Sequence, residues 1–473
     1  MSKQSQLVKN TFVIAAGKLS TQFLTFLLIP IYTNFLTTKE FGTVDLILTY
    51  VSLLIPLVAI SIERAVFRHL IDARKNPREQ MRIISNSLHV YGIGLIVFTL
   101  LFITVQAFIE IPYGWLVYGV IVSVSLSNFW MQVARGFGDN VKFSIASLIA
   151  GLITVALNVL LIVFLGWGAE GMLASIVLAN IVAAGYLMVK LFANKYIKRN
   201  HHSMSLKKEL IGYSAPLVPS TTAWWLTSAA DRTIITIVLG VSSNGIYAAA
   251  YKFPQIFIAL FSFFNMSWQE SASMHINSKD RDAFYSQTMN ATIKMFGALG
   301  LCLIAGTGLF FELLVGSAFQ DARQYIPLLI VGVFFSSILE IYNGIYIAKK
   351  MTTQVLKTSL APAAINIGLT LLTIQWLGLY APALAMAVAY LSMSITRHYD
   401  LRKYVHIKYK IGTVIKVAVL YLIIISLYLC NTFVTDLIAM GIATGAMILL
   451  NQSFVSMVWN GIESRLFRKS IKK

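Results

Sequence analysis

The sequence predicts an all-α, polytopic membrane protein. It has about fourteen transmembrane helices, arranged as two parallel six-helix repeats plus two C-terminal helices. Three observations predict this. The chain is 57% hydrophobic and 12% charged, with mean hydropathy +0.74, whereas soluble domains carry about 25% charged residues. Apolar runs of spanning length recur along all 473 residues, and about 20 apolar residues cross a bilayer as a helix. Two segments of the first half recur, in order, in the second.

The apolar runs, bounded by polar or Gly-rich breaks, have cores near 11–36, 43–67, 83–109, 115–136, 143–165, 171–192, 209–239, 245–269, 286–315, 325–348, 354–377, 381–399, 412–433 and 437–459. The N-terminal stretch reads as a permanent first span. Lys18 interrupts its apolar run, which then continues past h-region length without a small-residue cleavage site. Cys302 and Cys430 lie in or beside apolar runs and read as small hydrophobes.

The net charge of +19 is unevenly placed. "RHLIDARKNPREQMR", "ANKYIKRNHHSMSLKK", "AKKMTTQVLK", "LRKYVHIKYK" and the tail "ESRLFRKSIKK" are rich in Lys and Arg. "TTKEFG", "EIPYG", "GWGAEG", "GVSSNG", "GLYAP" and the region around "FQDARQ" hold little beyond Lys39 and Arg323. Cytoplasmic loops collect basic residues, so both termini are expected in the cytoplasm. The charge therefore points to topology and not to nucleic acid. Trp115, Trp167, Trp376 and Trp459 fall near predicted interfaces and are expected to anchor there. Cysteine labelling from outside is expected to reach Ser243→Cys and to miss His201→Cys; the reverse pattern overturns this topology.

The repeat rests on two comparisons. "FLTTKEFGTVDLILTY" and "VLGVSSNGIYAAAYKF" each join two spans, and in each a Leu precedes a Gly by six residues, Leu36–Gly42 and Leu239–Gly245. "MQVARGFGDNVKFSIASLIA" resembles "IYIAKKMTTQVLKTSLAPAA", with Ala134–Arg135 on Ala348–Lys349 and Val141 on Val355. Six spans per half start both halves on one side, so the repeat is parallel. Substrate sites of parallel repeats lie between the halves. The expected organisation is an N-terminal lobe 1–192, a basic connector 193–208, a C-terminal lobe 209–400, and two further helices with a basic tail in 401–473.

The segments "NTFVIAAGKLSTQFLTFLLIPIYTNFLTTKEFGTVDLILTY", "ADRTIITIVLGVSSNGIYAAAYK" and "WLGLYAPALAMAVAYLS" carry a resemblance that extends over essentially the whole chain. The sequence resembles the Wzx-type O-antigen and polysaccharide flippases of the multidrug/oligosaccharidyl-lipid/polysaccharide superfamily. The resemblance implies two lobes, as in MATE transporters and lipid II flippases, around a cavity that opens alternately to each side. It implies an undecaprenyl-diphosphate-linked oligosaccharide as cargo, with the tail in a groove of the last two helices. It further implies a bacterial inner-membrane location, with membrane lipids and other polysaccharide assembly proteins as partners.

Charges inside spans usually face a bundle interior or a watery cavity, because lipid exposure costs about 2.5–3.5 kcal/mol or more. Lys18 either faces the cavity or snorkels to the interface. Arg64 and Arg68 share a helix face; Arg68 reads as an interfacial anchor and Arg64 as anchor or cavity cation. Asp231 and Lys252 lie at similar distances from the break between their spans, which suits a salt bridge. Arg232, about 100° round the helix from Asp231, is the leading cavity cation. Arg232, Lys252, Lys18 and Arg64 are thus the candidate substrate-binding cations. Asp231, Glu340, Glu63 and Glu270 are the candidate coupling or structural carboxylates. Lys294 and Lys416 are expected to snorkel.

The sequence offers no phosphate-binding Gly-Lys-Ser/Thr loop and no catalytic constellation, so neither a cofactor nor enzymatic activity is expected. His201–His202 has no further ligand at metal spacing. A MATE-like small-molecule antiporter is the first alternative, although cationic drugs call for an acidic cavity. A membrane-embedded polymerase or ligase is the second, although it calls for a large outer loop.

Overall fold

The computed structural model describes residues 26–191, 203–349, 351–452 and 456. Sixteen α-helices and no strand occur among them. Eleven helices among the described residues are long and apolar enough to cross a membrane. Of the other expected spans, the first lies mostly outside the described residues. The seventh and twelfth are helical but fall outside the eleven. The chain divides into two compact units, within 1–248 and 249–473.

The first unit contains α1 (Ile29–Phe35), α2 (Thr38–Val58), α3 (Ile62–Asp72), α4 (Pro77–Phe108), α5 (Gly114–Gly136), α6 (Asn140–Asn158), α7 (Gly168–Lys190), α8 (Met204–Ser214), α9 (Leu217–Leu239) and the start of α10 (Val241–His275). Several breaks are much shorter than the sequence pattern suggests. The expected loop "TTKEFG" is a helix start: Thr37 and Glu40 form a reciprocal capping box on α2. Only Gly240, at φ +90°, separates α9 from α10. The side chain of Asn76 caps α4, and Pro77 sits in its first turn, where a missing N–H costs nothing.

The second expected span is broken. α2 ends at Val58, and Ile60 and Ser61 adopt left-handed backbone conformations, φ +53° and +52°, before α3 begins. A β-branched residue pays for that conformation, and Pro56 five residues upstream accepts the Ser61 N–H at 2.9 Å in place of the regular ladder. Glu63 and Arg64 therefore sit on a separate short helix. The seventh expected span is likewise two helices, divided at Ala215–Pro216, because proline carries no N–H for the ladder. The fifth runs from α6 into a π-helical turn, Val159–Phe164. A core of Ile62, Val66, Leu70, Ile84, Phe129, Trp130 and Leu187 joins α3, α4, α5 and α7.

The second unit continues α10 and adds α11 (Arg281–Leu314), a 3₁₀ segment (Ser317–Tyr325), α12 (Ile326–Ala348), α13 (Thr352–Leu377), α14 (Tyr380–Leu401), α15 (Ile411–Leu429) and α16 (Phe433–Leu450). α11 packs against α12, α15 and α16, and α14 packs against α12 and α13. Small residues permit the closest approaches: a Cβ on Gly300 would lie 2.0 Å from the Tyr421 hydroxyl. Arg323 fastens the last two helices to the 3₁₀ segment. It bonds Asp436 Oδ2 at 2.7 Å, contacts Asn431, and lies 4.5 Å above the Tyr428 ring.

Candidate functional site

Besides the Arg323–Asp436 pair, buried charge gathers in two clusters among the described residues, and cavities occur in both units. The first cluster lies in the first unit, where α2 crosses the start of α10. Gly42 and Gly245 meet there: a Cβ on Gly42 would lie 2.1 Å from Val241 O, and one on Gly245 would lie 2.0 Å from Thr38 O. Asn244, fully buried, donates to Gly42 O at 2.9 Å. These are the two glycines that the repeat comparison aligns.

One turn along α2, Asp45 Oδ2 faces Arg232 Nε of α9 at 3.4 Å. Both side chains are largely shielded, and the guanidinium lies 5.4 Å from the Tyr247 ring centre. The Tyr50 and Thr233 hydroxyls share a hydrogen bond of 2.9 Å nearby. Arg232 is thus held by Asp45, an acid within the second predicted span that the charge survey passed over. Asp231 is also buried. Lys252 is half-buried and belongs to the second unit. Lys18 lies outside the described residues. Arg64 is exposed and Glu63 half-buried on α3, and Glu270 is exposed on α10.

The first unit also holds a cavity of about 1240 Å³ between α2 and α4. Its walls are apolar, among them Leu46, Leu54, Ile93, Val97 and Leu101, and Ile60 of the strained break lines it too. Lys39 and Val241 lie at the start of α2 and α10; His89, Lys207 and Lys208, on α4 and α8, also line it. The basic residues of the lining are therefore Lys39 at the start of α2, His89 within α4, and Lys207 and Lys208 within α8.

The second cluster is a polar network through the second unit. Glu340 of α12 accepts from Asn265 of α10 at 3.0 Å and from Asn343 at 2.6 Å. Asn343 in turn accepts from Arg397 of α14. Arg397 is fully buried and also donates to Ser359 at 3.0 Å and Thr358 at 3.2 Å on α13. Next to it, the Tyr346 hydroxyl donates to Asp400 at 2.6 Å. Four helices are thereby cross-linked through one carboxylate and one guanidinium. Arg397 escaped the sequence reading, although it lies within a predicted span and the test that selected Arg232 selects it too.

Two further cavities lie in the second unit. One, of about 770 Å³, is apolar and runs between α12, α14 and α15, with Phe334, Ile395 and Tyr421 in its wall. The other, of about 410 Å³, has a mixed wall that includes Lys294, Lys408 and Lys410 beside Phe264, Met295 and Phe296. Tyr409 lines both. Its hydroxyl contacts that of Tyr342, which also pairs with His398 Nδ1 at 3.1 Å.

Residues 7–269 match the family model described as polysaccharide biosynthesis protein. No curated protein matches the chain. Among solved structures, an inward-facing multidrug resistance MATE family transporter of the MOP superfamily is similar over 82% of this chain and 97% of its own, with TM-score 0.69 and 13% identity. The lipid II flippase MurJ, in an inward closed conformation, is similar over 94% of this chain and 99% of its own, with TM-score 0.64 and 15% identity. A Vibrio cholerae MATE transporter is similar over 84% and 97%, with TM-score 0.57 and 12% identity. At these identities the likeness shows the fold, which is that of MATE and MurJ.

Proposed function

This chain belongs to the polysaccharide biosynthesis protein family, and from that premise we propose that it is a flippase for a lipid-linked oligosaccharide. The cargo is an undecaprenyl-diphosphate-linked repeat unit of O-antigen or a related surface polysaccharide. It crosses from the cytoplasmic to the outer leaflet of the bacterial inner membrane by alternating access, with both termini of the protein cytoplasmic. The lobes are 1–192 and 209–400, joined by 193–208 and followed by 401–473. Membrane lipids and other polysaccharide assembly proteins are its partners.

The observation that carries this reading is the α2–α4 cavity, apolar along most of its wall with Lys39, His89, Lys207 and Lys208 in the lining. A prenyl chain needs only apolar surface, whereas a diphosphate leaving water needs fixed cations. Lys207 and Lys208 stand at the proposed cytoplasmic end and Lys39 at the outer end. Arg232, Lys252, Lys18 and Arg64 serve as further cations along the route. Asp231, Glu340, Glu63 and Glu270 serve in coupling or in structure. An inside-negative potential favours outward movement of net negative charge by about 2.3 kcal/mol per charge per 100 mV. The MATE-like fold supports a second reading, a small-molecule antiporter. Against it, Asp45 and Asp436 are each paired with an arginine, which leaves them poorly placed to hold a cationic drug.

The test is reconstitution in vesicles with a fluorescent undecaprenyl-diphosphate oligosaccharide and an assay of leaflet accessibility. Flipping above the protein-free rate is expected, with glycan length and diphosphate unchanged by mass spectrometry. A rate equal to that of empty vesicles overturns the flippase reading, and a lengthened glycan or a lost phosphate favours an enzyme.

A further inference from the structure

We infer that the second unit binds an anionic membrane phospholipid, its phosphate among Lys294, Lys408 and Lys410 and an acyl chain in the apolar groove beside Tyr409. Three lysines line this cavity and, among the described residues, no carboxylate does. Lys408 and Lys410 are exposed and Lys294 is half-buried, so three like charges converge on one mouth, an arrangement that attracts an anion. Thr292 lines the same cavity; its hydroxyl is buried and has no hydrogen-bond partner among the described residues. It offers a donor to a phosphate oxygen.

The segment carrying the lysines is held in place. Ser286 accepts the Lys408 N–H at 2.9 Å, Asn290 accepts the Lys410 N–H at 2.8 Å, and Asn290 donates to Lys408 O at 2.8 Å. Residues 405–410 have no helical structure. Lys408, Tyr409 and Lys410 all line the cavity, so the two lysines act together on either side of Tyr409. Tyr409 lines the apolar groove as well, so the two cavities adjoin at this side chain, and a phosphate held in one brings an acyl chain close to the other. The groove is bordered by exposed Tyr399, Ile411 and Leu422, and such a border is suited to receive a chain from the bilayer.

Size selects the source. At about 410 Å³ the lysine-lined cavity sits near the small end of ligand sites, about 300–1,000 Å³. A glycerophosphate headgroup is of that size, whereas an oligosaccharyl diphosphate would extend well beyond it. The bound molecule is therefore a resident lipid and not the cargo, and this holds whatever the protein transports.

The test uses the full chain in detergent micelles, with dioleoyl phosphatidylglycerol as probe and dioleoyl phosphatidylcholine and inorganic phosphate as comparators. Binding is read by native mass spectrometry and by the shift in Tm. Phosphatidylglycerol is expected to bind and raise Tm, and the comparators to do so much less. Lys294→Gln/Lys408→Gln/Lys410→Gln should weaken phosphatidylglycerol binding about tenfold or more, whereas Lys75→Gln/Lys190→Gln/Lys279→Gln, exposed lysines elsewhere, should leave it unchanged. If the site triple fails to fold, Lys408→Glu alone, at an exposed position, carries the same expectation. Unchanged affinity in the site variants, equal loss in the control triple, or equal binding of either comparator overturns the inference. Displacement of phosphatidylglycerol by undecaprenyl diphosphate at equal concentration, sensitive to the same lysines, also overturns it by making the site one for cargo.

Discussion

Arg232→Met is expected to destabilise the protein, by less than the roughly 3–5 kcal/mol that breaking a fully buried pair costs, because it leaves the largely shielded Asp45 without its cation. The pair is 3.4 Å apart and largely shielded from solvent. The loss should appear as a lower Tm and a smaller folded fraction after membrane insertion. Removing both charges is a different experiment. Asp45→Leu/Arg232→Met replaces an ion pair with apolar volume, a change that is often neutral or stabilising, so the double variant should recover most of the folded protein. It then separates structure from transport. We expect it to fold and yet to flip cargo poorly, because the proposed cation is gone. Arg232→Lys should keep part of the activity, since the charge remains but the planar fork does not. The measurement is flipping rate per folded molecule. A double variant that flips at the wild-type rate leaves Arg232 a purely structural partner of Asp45.

The helices themselves were legible, because long apolar runs give the same answer whatever packs around them. Their breaks were not. Ile60 and Ser61 carry no breaking signal, and only Pro56 hints at the interruption, from inside the helix that ends there. Ala215–Pro216 is the opposite case, where the proline itself marks the division. The sites were legible as single charges and illegible as pairs. Arg232 stands out in an apolar run, but its partner lies 187 residues away, and no local pattern joins them. Arg397 sits in "SMSITRHYD", where it resembles an ordinary basic helix end. Its burial depends on Asn343, Thr358 and Ser359 from two other helices. Lys408 and Lys410 read as topology signals in a basic loop. Their arrangement round a cavity follows from hydrogen bonds to Ser286 and Asn290 more than a hundred positions earlier.

Gly245→Ala is expected to be among the most damaging single-methyl additions in the first unit. The added Cβ would lie 2.0 Å from Thr38 O and 3.1 Å from Gly42 N. Both neighbours are backbone, so no rotamer change relieves the clash, and α2 and α10 must separate by about 1 Å or more to reach ordinary contact. Separation stretches the Asn244–Gly42 hydrogen bond and leaves fully buried Asn244 under-satisfied. Overpacking typically costs about 1–3 kcal/mol and occasionally more, and the lost bond adds to it. Gly306→Ala is the matched control: it also lies inside a helix, with nothing within 4 Å of an added Cβ. There helix propensity favours alanine by roughly 0.5–1 kcal/mol. The two substitutions should therefore move Tm in opposite directions. They should differ in dynamics as well. If alternating access requires α2 and α10 to part at this crossing, Gly245→Ala shifts the population toward the parted state. Maleimide labelling of Val44→Cys, fully buried beside the crossing, should then be faster in the Gly245→Ala background than in the Gly306→Ala background. Equal Tm and equal labelling in the two backgrounds would show that the glycine contact neither holds the helices together nor limits their opening.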